Sequence, residues 1–318
     1  MTPPPFIERV QPIKWPLEAI WQAISPTLPG FTAEVLPEVD STNSELMRRL
    51  RGSAVLEPRP EPTLLVAEQQ TAGRGRLGRP WHSQRGACLT FSLSMPLAPA
   101  NWSGLSLAVG VAVADALEPL TPRGQGPAPA PRIGLKWPND LWLTGSLGAQ
   151  AARGAHKLGG ILVETATVHE HRYVVIGVGI NIAPVTLPEL SIGSLPAGHL
   201  QQLVPGVDAA GTLLRLLPAL VQTVQAFESF GFVPFQARFA RRDVLQDCTV
   251  VLSDGLEGMA CGVDENGALL VHTSAGMKEI SSSEVSVRPK NGQAVQLPGS
   301  ANRLSGVSSQ DIQRGAPC

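Results

Sequence analysis

The chain has 318 residues, enough for one large domain and a small one, each with its own core. Its formal net charge is −1 and 16% of its residues are charged, which excludes a globally basic surface that wraps nucleic acid and confines any anion site to a local cluster. The four cysteines, Cys88, Cys248, Cys261 and Cys318, form no CxxC pair, so neither a zinc site nor a disulfide framework is expected, and the thiols read as reduced and cytoplasmic.

Residues 1–35 read as a proline-rich extension with one short helix around Leu17 to Ile24. The start, Met1-Thr2-Pro3-Pro4-Pro5, lacks the basic and apolar regions of a signal peptide, so export is not expected. From Ser41 to Arg51 the pattern predicts a helix, with Thr42 and Glu45 at capping-box spacing and Leu46, Met47 and Leu50 as its apolar face. Thr63 to Glu68 reads as a buried strand. No residue from Ala87 to Ala114 is charged. Pro96, Pro99 and Asn101 interrupt that run, however, so it reads as a strand with Leu89, Phe91 and Leu93 alternating, then a helix over Leu105 to Leu117, and not as a membrane span.

Further strands are predicted at Ile133 to Trp137, Leu141 to Thr144, Leu158 to Glu164 and Arg172 to Ile182. Thr121 to Pro131 and Gly145 to His156 look like loop insertions. His169-Glu170-His171 resembles a metal motif, but three adjacent residues on a turn seldom converge on one ion, and no protein metal ligand is assigned. Helical spacing returns at Leu213, Leu217, Leu220, Val224 and Phe227, with Pro218 a kink, and again at Phe232, Phe235 and Phe239. Past Asp247 short strands take over, at Thr249 to Leu252, Gly258 to Val263, Ala268 to His272 and Glu284 to Arg288. Asn266-Gly267 marks a tight hairpin between them, which predicts a small β-barrel over 245–289 followed by a disordered tail, 290–318.

Gly73-Arg74-Gly75-Arg76-Leu77-Gly78 satisfies GxGxxG after a strand, but a dinucleotide fingerprint must open directly into a helix, and here Arg79-Pro80-Trp81 leads to another strand. Arginines alternating with glycines suit an anion loop instead: glycine lets backbone close around a ligand while guanidinium groups meet phosphate or carboxylate oxygens. Lys136-Trp137-Pro138-Asn139-Asp140 places a lysine at a strand end before a proline turn. Gly159 to Glu164 and Gly177 to Asn181 are strands with glycine where side chains would crowd a pocket.

Taken in order, Ser41-Thr42-Asn43, Gln70 to Trp81, Lys136 to Asp140, Gly159 to Glu164 and Gly177 to Asn181 resemble the biotin protein ligases, over about residues 36 to 289. The resemblance implies an α+β fold: a mixed, largely antiparallel sheet with packed helices, like a class II aminoacyl-tRNA synthetase, over 36–244, plus a Src-homology-3-like C-terminal barrel. It implies an enzyme that adenylates biotin with ATP and Mg²⁺ and then biotinylates a lysine of a biotin carboxyl carrier protein. Biotin would meet Ser41, Thr42, Asn43, Gln70, Gly73, Arg74, Gly75, Arg76, Lys136, Gly160 and Gly179. ATP would meet Arg74, Arg76, Arg79, Trp81, Lys136, Asn139 and Asn181, with Lys136, Arg76 and Arg74 carrying the chemistry. The forty residues before Ser41 are too few for the winged-helix domain of longer members, so a short, monofunctional form is expected, with no DNA or membrane partner and with homodimerisation left open. Two other readings stand beside this one: a lipoate or octanoate ligase of related fold, and a non-catalytic regulator that senses a nucleotide or nucleic acid.

Overall fold

The computed structural model describes residues 13–52, 60–118, 133–144, 155–185 and 197–281, with the backbone of 287–289. The 121–131 insertion, nearly all of the 145–156 insertion and the 290–318 tail lie outside the described residues. Among the described residues no helix is long and apolar enough to cross a membrane.

The chain opens with helix α1 (Leu17–Ile24), strand β1 (Thr32–Leu36), helix α2 (Thr42–Gly52) and strand β2 (Thr63–Ala67). Strand β3 (Cys88–Pro96) and helix α3 (Leu105–Leu117) come next. Strands β4 (Ile133–Lys136), β5 (Asp140–Leu143), β6 (His156–Val168) and β7 (His171–Asn181) then lead into helices α4 (Ala209–Phe230) and α5 (Val233–Ala240). The seven strands form one sheet in the order β1-β2-β3-β7-β6-β5-β4, in which β1 and β2 are parallel and every other pair is antiparallel. This is the mixed, largely antiparallel sheet expected from the sequence. Strand β1 was not among the expected elements; it occupies the sheet edge, and α1 buries Ile20 and Ile24 in the main core.

Strand alternation decides which face does what. On β3, Leu89, Phe91, Leu93 and Met95 enter the main core with α3 and α4, and on β7 so do Val174, Ile176, Val178 and Ile180. Their neighbours, Thr90, Ser92 and Ser94 on β3 and Gly177 and Gly179 on β7, therefore face the other way. On that second face α2 packs Leu46, Met47 and Leu50 against Leu65, Tyr173 and Val175. Ser41, and not the Thr42 of the expected capping box, caps α2: the Ser44 N–H reaches Ser41 Oγ at 3.4 Å. Glu45 is drawn off by Arg48 and Arg49, while Arg48 also takes both oxygens of Asp40 at 2.7 and 2.9 Å, holding that carboxyl down at about 2.

The C-terminal unit is a five-stranded antiparallel sheet in the order β11-β10-β9-β8-β12, built from β8 (Thr249–Leu252), β9 (Glu257–Val263), β10 (Leu269–Thr273), β11 (Gly276–Ile280) and β12 (Val287–Pro289). The β9–β10 turn holds Asn266 and Gly267, where Gly267 has φ +79° and the Asp264 carboxylate accepts from the N–H groups of Asn266 and Ala268. This hairpin rests on the main domain. A Cβ on Gly267 would lie 2.7 Å from the Cα of Gly104, and the fully buried Trp137 donates its indole N–H to the Gly267 carbonyl at 3.0 Å.

The joint between the two units runs beside β4, where Leu135 pairs with the backbone of Arg242 and Val244 at 2.7 and 3.0 Å. Gly134 permits the approach, since a Cβ there would sit 2.2 Å from Val244. Arg242 is 0% exposed and its charge is met by Asp115 at 2.8 Å and Glu118 at 3.2 Å on the α3 end, as a buried charge must be. Asp243 beside it has no such cation among the described residues. One oxygen accepts the Leu245 N–H at 2.8 Å, the other is buried without a partner among those residues, and burial pushes the carboxyl up to about 7. Because its unfolded value is 3.8, the folded chain holds a proton that the unfolded chain has released, and stability falls as pH rises between those values. Asp243→Asn should therefore gain thermal stability relative to the parent chain as pH is raised from 5 to 7.5, read from parallel melting curves. A difference independent of pH would show that Asp243 is ionised throughout.

Candidate functional site

The polar face of β3 and β7, the start of α2, the Gly73–Trp81 loop and the Lys136–Asp140 turn enclose a cavity of about 180 Å³. Part of its lining is a chain of neutral hydrogen bonds. Ser92 Oγ lies 2.6 Å from Asn43 Oδ1 and 2.7 Å from Thr42 Oγ1, and Gln70 Oε1 accepts the Thr42 N–H at 2.8 Å. Asn43 is 3% exposed and donates to Leu162 O at 3.3 Å and to Glu164 Oε2 at 2.9 Å. Room for it comes from Gly177, where a Cβ would lie 2.2 Å from Asn43 Oδ1. Gly179, next on the same face, leaves space for the Trp81 indole, which would meet a Cβ at 2.6 Å. The Trp81 Nε1 is buried without a partner among the described residues.

The Gly73–Trp81 loop is a narrow hairpin, with Gly75 N–H to Arg79 O at 2.7 Å and Trp81 N–H to Gly73 O at 2.8 Å, closed by one 3₁₀ turn over Arg76–Gly78. The next element after Gly78 is strand β3 and not a helix, so the dinucleotide reading fails on geometry. Gly73 does not line the cavity; its missing side chain lets the Trp81 carbonyl come to 2.4 Å of where a Cβ would stand.

The cavity is also strongly cationic. Arg74, Arg76, Arg79, Lys136 and Lys157 line it with one carboxylate, Asp140. Asp140 Oδ1 and Lys157 Nζ are 2.7 Å apart, and Lys136 Nζ stands 5.4 Å from the centroid of the Trp142 ring. Burial lowers the Arg76 guanidinium, partly offset by Asp140; an arginine so placed stays charged and acts in a less screened setting than one on the surface. Leu77 also lines the cavity, with φ 55° and 57% exposure.

Most residues singled out in the sequence meet at this cavity: Ser41, Thr42, Asn43, Gln70, Arg74, Gly75, Arg76, Arg79, Trp81, Lys136, Asn139, Gly160 and Gly179 all line it. Asn181 does not. Its amide donates to Gly198 O at 3.0 Å and to Lys157 O at 3.4 Å, bracing the backbone that carries Lys157. Three polar or charged lining residues were not among the expected site residues: Lys157, Asp140 and Thr90. Strict alternation would put Lys157 on the core face with Ile161; a bulge after it, where the β5–β6 register shifts, turns it to the cavity side, so the sequence pattern could not have found it.

Replacing Gly177 by alanine should destabilise the chain by about 1–3 kcal/mol, the usual cost of forcing an added methyl into packed surroundings, because Asn43 is tied on several sides. Urea unfolding with an unchanged midpoint would mean that Asn43 swings away freely.

A family model described as the biotin/lipoate A/B protein ligase family matches residues 35–181, and one for the biotin protein ligase C-terminal domain matches residues 246–288. The bifunctional ligase/repressor BirA of Escherichia coli is 33% identical over 271 residues, which cover 82% of this chain and 75% of BirA. The biotin–[acetyl-CoA-carboxylase] ligase of Mycobacterium tuberculosis is 38% identical over 152 residues, 47% of this chain and 48% of that protein. Among solved structures, the Aquifex aeolicus biotin protein ligase in complex with biotin and ATP aligns with a TM-score of 0.62 at 30% identity, covering 81% of this chain and 99% of that one. With both matches in sequence order on a fold of this kind, the chain belongs to the biotin/lipoate A/B protein ligase family, among the biotin protein ligases that carry the C-terminal domain.

Proposed function

We propose that the chain works as a biotin protein ligase that uses ATP to activate biotin and then transfers it to a lysine of a biotin carboxyl carrier protein. The observation that carries this reading is the make-up of the cavity: a network of neutral hydrogen-bonding groups together with five cations and a single carboxylate. Biotin has a ureido ring with donors and an acceptor at one end and a carboxylate at the other, and ATP adds phosphates beside that carboxylate. The Aquifex relative is described with these two compounds. A dithiolane ring offers no donor or acceptor to the Thr42, Asn43, Ser92 and Gln70 network, whereas a ureido ring offers both. That argues against lipoate.

In the first step a biotin carboxylate oxygen attacks the α-phosphorus of ATP, a new P–O bond forms, the α–β bridging P–O bond breaks and pyrophosphate leaves. Charge builds on the phosphoryl oxygens, and Lys136, Arg74 and Arg76 answer it with cations already fixed in place. Lys157, steadied by Asp140 and by the backbone brace from Asn181, is suited to orient the attacking carboxylate. In the second step a neutral acceptor lysine attacks the acyl carbon, the acyl–phosphate C–O bond breaks, AMP departs and an amide forms. The intermediate is an anhydride, so the Gly73–Trp81 hairpin serves by keeping water out. Asp140 with one oxygen held by Lys157 fits a magnesium ion that arrives on the phosphates, because Mg²⁺ keeps several waters and takes one or two carboxylates. Such an ion would neutralise charge on the departing pyrophosphate, and Asp140 would hold it.

Biotin-dependent exchange of labelled pyrophosphate into ATP tests the first step, and mass spectrometry of a carrier domain offered biotin or lipoate tests the second. Labelling by lipoate alone, or exchange without either acid, would overturn the assignment. Lys136→Ala should lower exchange by roughly 10²–10³, the usual effect of losing one preorganised charge donor; near-parental exchange would remove Lys136 from the chemistry. Arg76→Ala should let the intermediate escape, read as biotin on bystander lysines of an added unrelated protein. If labelling stays confined to the carrier, the hairpin does not shield the anhydride.

A further inference from the structure

Glu164 lies just outside the cavity, on the β6 face that Leu162 and α2 share, and the two steps above do not use it. Its carboxylate is divided between two partners distant in sequence. Oε1 accepts from Arg74 Nη2 at 2.8 Å and Oε2 accepts from Asn43 Nδ2 at 2.9 Å. The two links differ in kind. Asn43 is 3% exposed and tied to Leu162 O and Ser92 as well, whereas the Arg74 side chain is 48% exposed on the hairpin. The carboxylate is thus anchored on the neutral network of the cavity and reaches out to the first arginine of the loop.

We propose that Glu164 is a positioning residue that couples the neutral network of the site to the glycine–arginine hairpin, setting the place of Arg74 through Asn43. The inference rests on reading this cavity as the biotin and ATP site. An ionised carboxylate is needed for it because both partners are donors, and an acceptor-only group can satisfy both at once. A glutamine offers one acceptor and one amide N–H₂, so one of the two links must fail. Asn43 is buried and its amide must keep an acceptor, whereas the half-exposed Arg74 can turn to water, so the glutamine oxygen stays with Asn43 and the link to Arg74 is the one lost, freeing the hairpin.

The test compares Glu164→Gln with the parent as full-length protein. Without any ligand, trypsin cleavage after Arg76 should accelerate roughly tenfold, the effect of one lost hydrogen bond to a charged group. In pyrophosphate exchange kcat should fall by a similar factor while the KM for biotin changes less than about threefold, because Arg74 answers charge that builds in the first step, and the urea midpoint should stay unchanged, which separates this from loss of folded protein. Adding Glu164→Gln to Arg74→Gln should speed cleavage after Arg76 no further than Arg74→Gln alone. Unchanged cleavage in the single variant, or additive effects in the double, overturns the coupling. The digestion needs neither substrate, so it decides the link even where the parent shows no exchange, the separate result that would sink the proposed function.

Discussion

The whole site depends on a period-two constraint in two neighbouring strands, β3 and β7. Every second residue there is large and apolar and is committed to the core beneath α3 and α4. The residues between are Thr90, Ser92 and Ser94 on one strand and Gly177 and Gly179 on the other, and small or polar groups are what leave a hollow above a sheet. Into that hollow the fold lowers Asn43 from α2 and the Trp81 indole from the hairpin, each seated over one glycine. A register slip of one residue would exchange the faces and put Phe91 and Ile176 where the ligand belongs.

Against this floor the charges are assembled from separate places. A chain with a net charge of −1 gathers five of its cations around one cavity with a single carboxylate among them. Arg74, Arg76 and Arg79 come from one hairpin, Lys136 from the end of β4 and Lys157 from the start of β6. Mutual repulsion among these cations favours whatever anion enters, and partial burial keeps water from screening the attraction. The uncharged Thr42, Asn43, Ser92 and Gln70 are already paired with one another, so they are held in register before anything binds.

Much of this was legible in the sequence, and the gaps have physical causes. The glycine–arginine loop and the Lys136 turn could be read because each is contiguous and its function is local. Most strands could be read because alternation is local as well. Strand β1 could not, since its parallel partner β2 is reached only by a crossover through α2 and nothing within Thr32–Leu36 announces the pairing. Ser41 displaced Thr42 as the cap because Thr42 had a tertiary partner in Gln70. Asn181 was expected at the nucleotide for its place in a glycine strand, yet its outward neighbours claim the amide. Glu164 and Lys157 matter through what stands across from them, and that is a property of register.

The indole of Trp137 reaches from the Lys136–Asp140 turn into the backbone of the small C-terminal sheet. Lys136 precedes it in the chain, so a lysine that lines the cavity is carried by a residue whose one polar side-chain atom is satisfied by the other unit. Peeling the small sheet away would leave a buried donor without an acceptor and Gly104 without its cover, a cost charged to the active site itself. The two units are therefore expected to lose structure together, and the C-terminal sheet is best regarded as part of the catalyst's foundation.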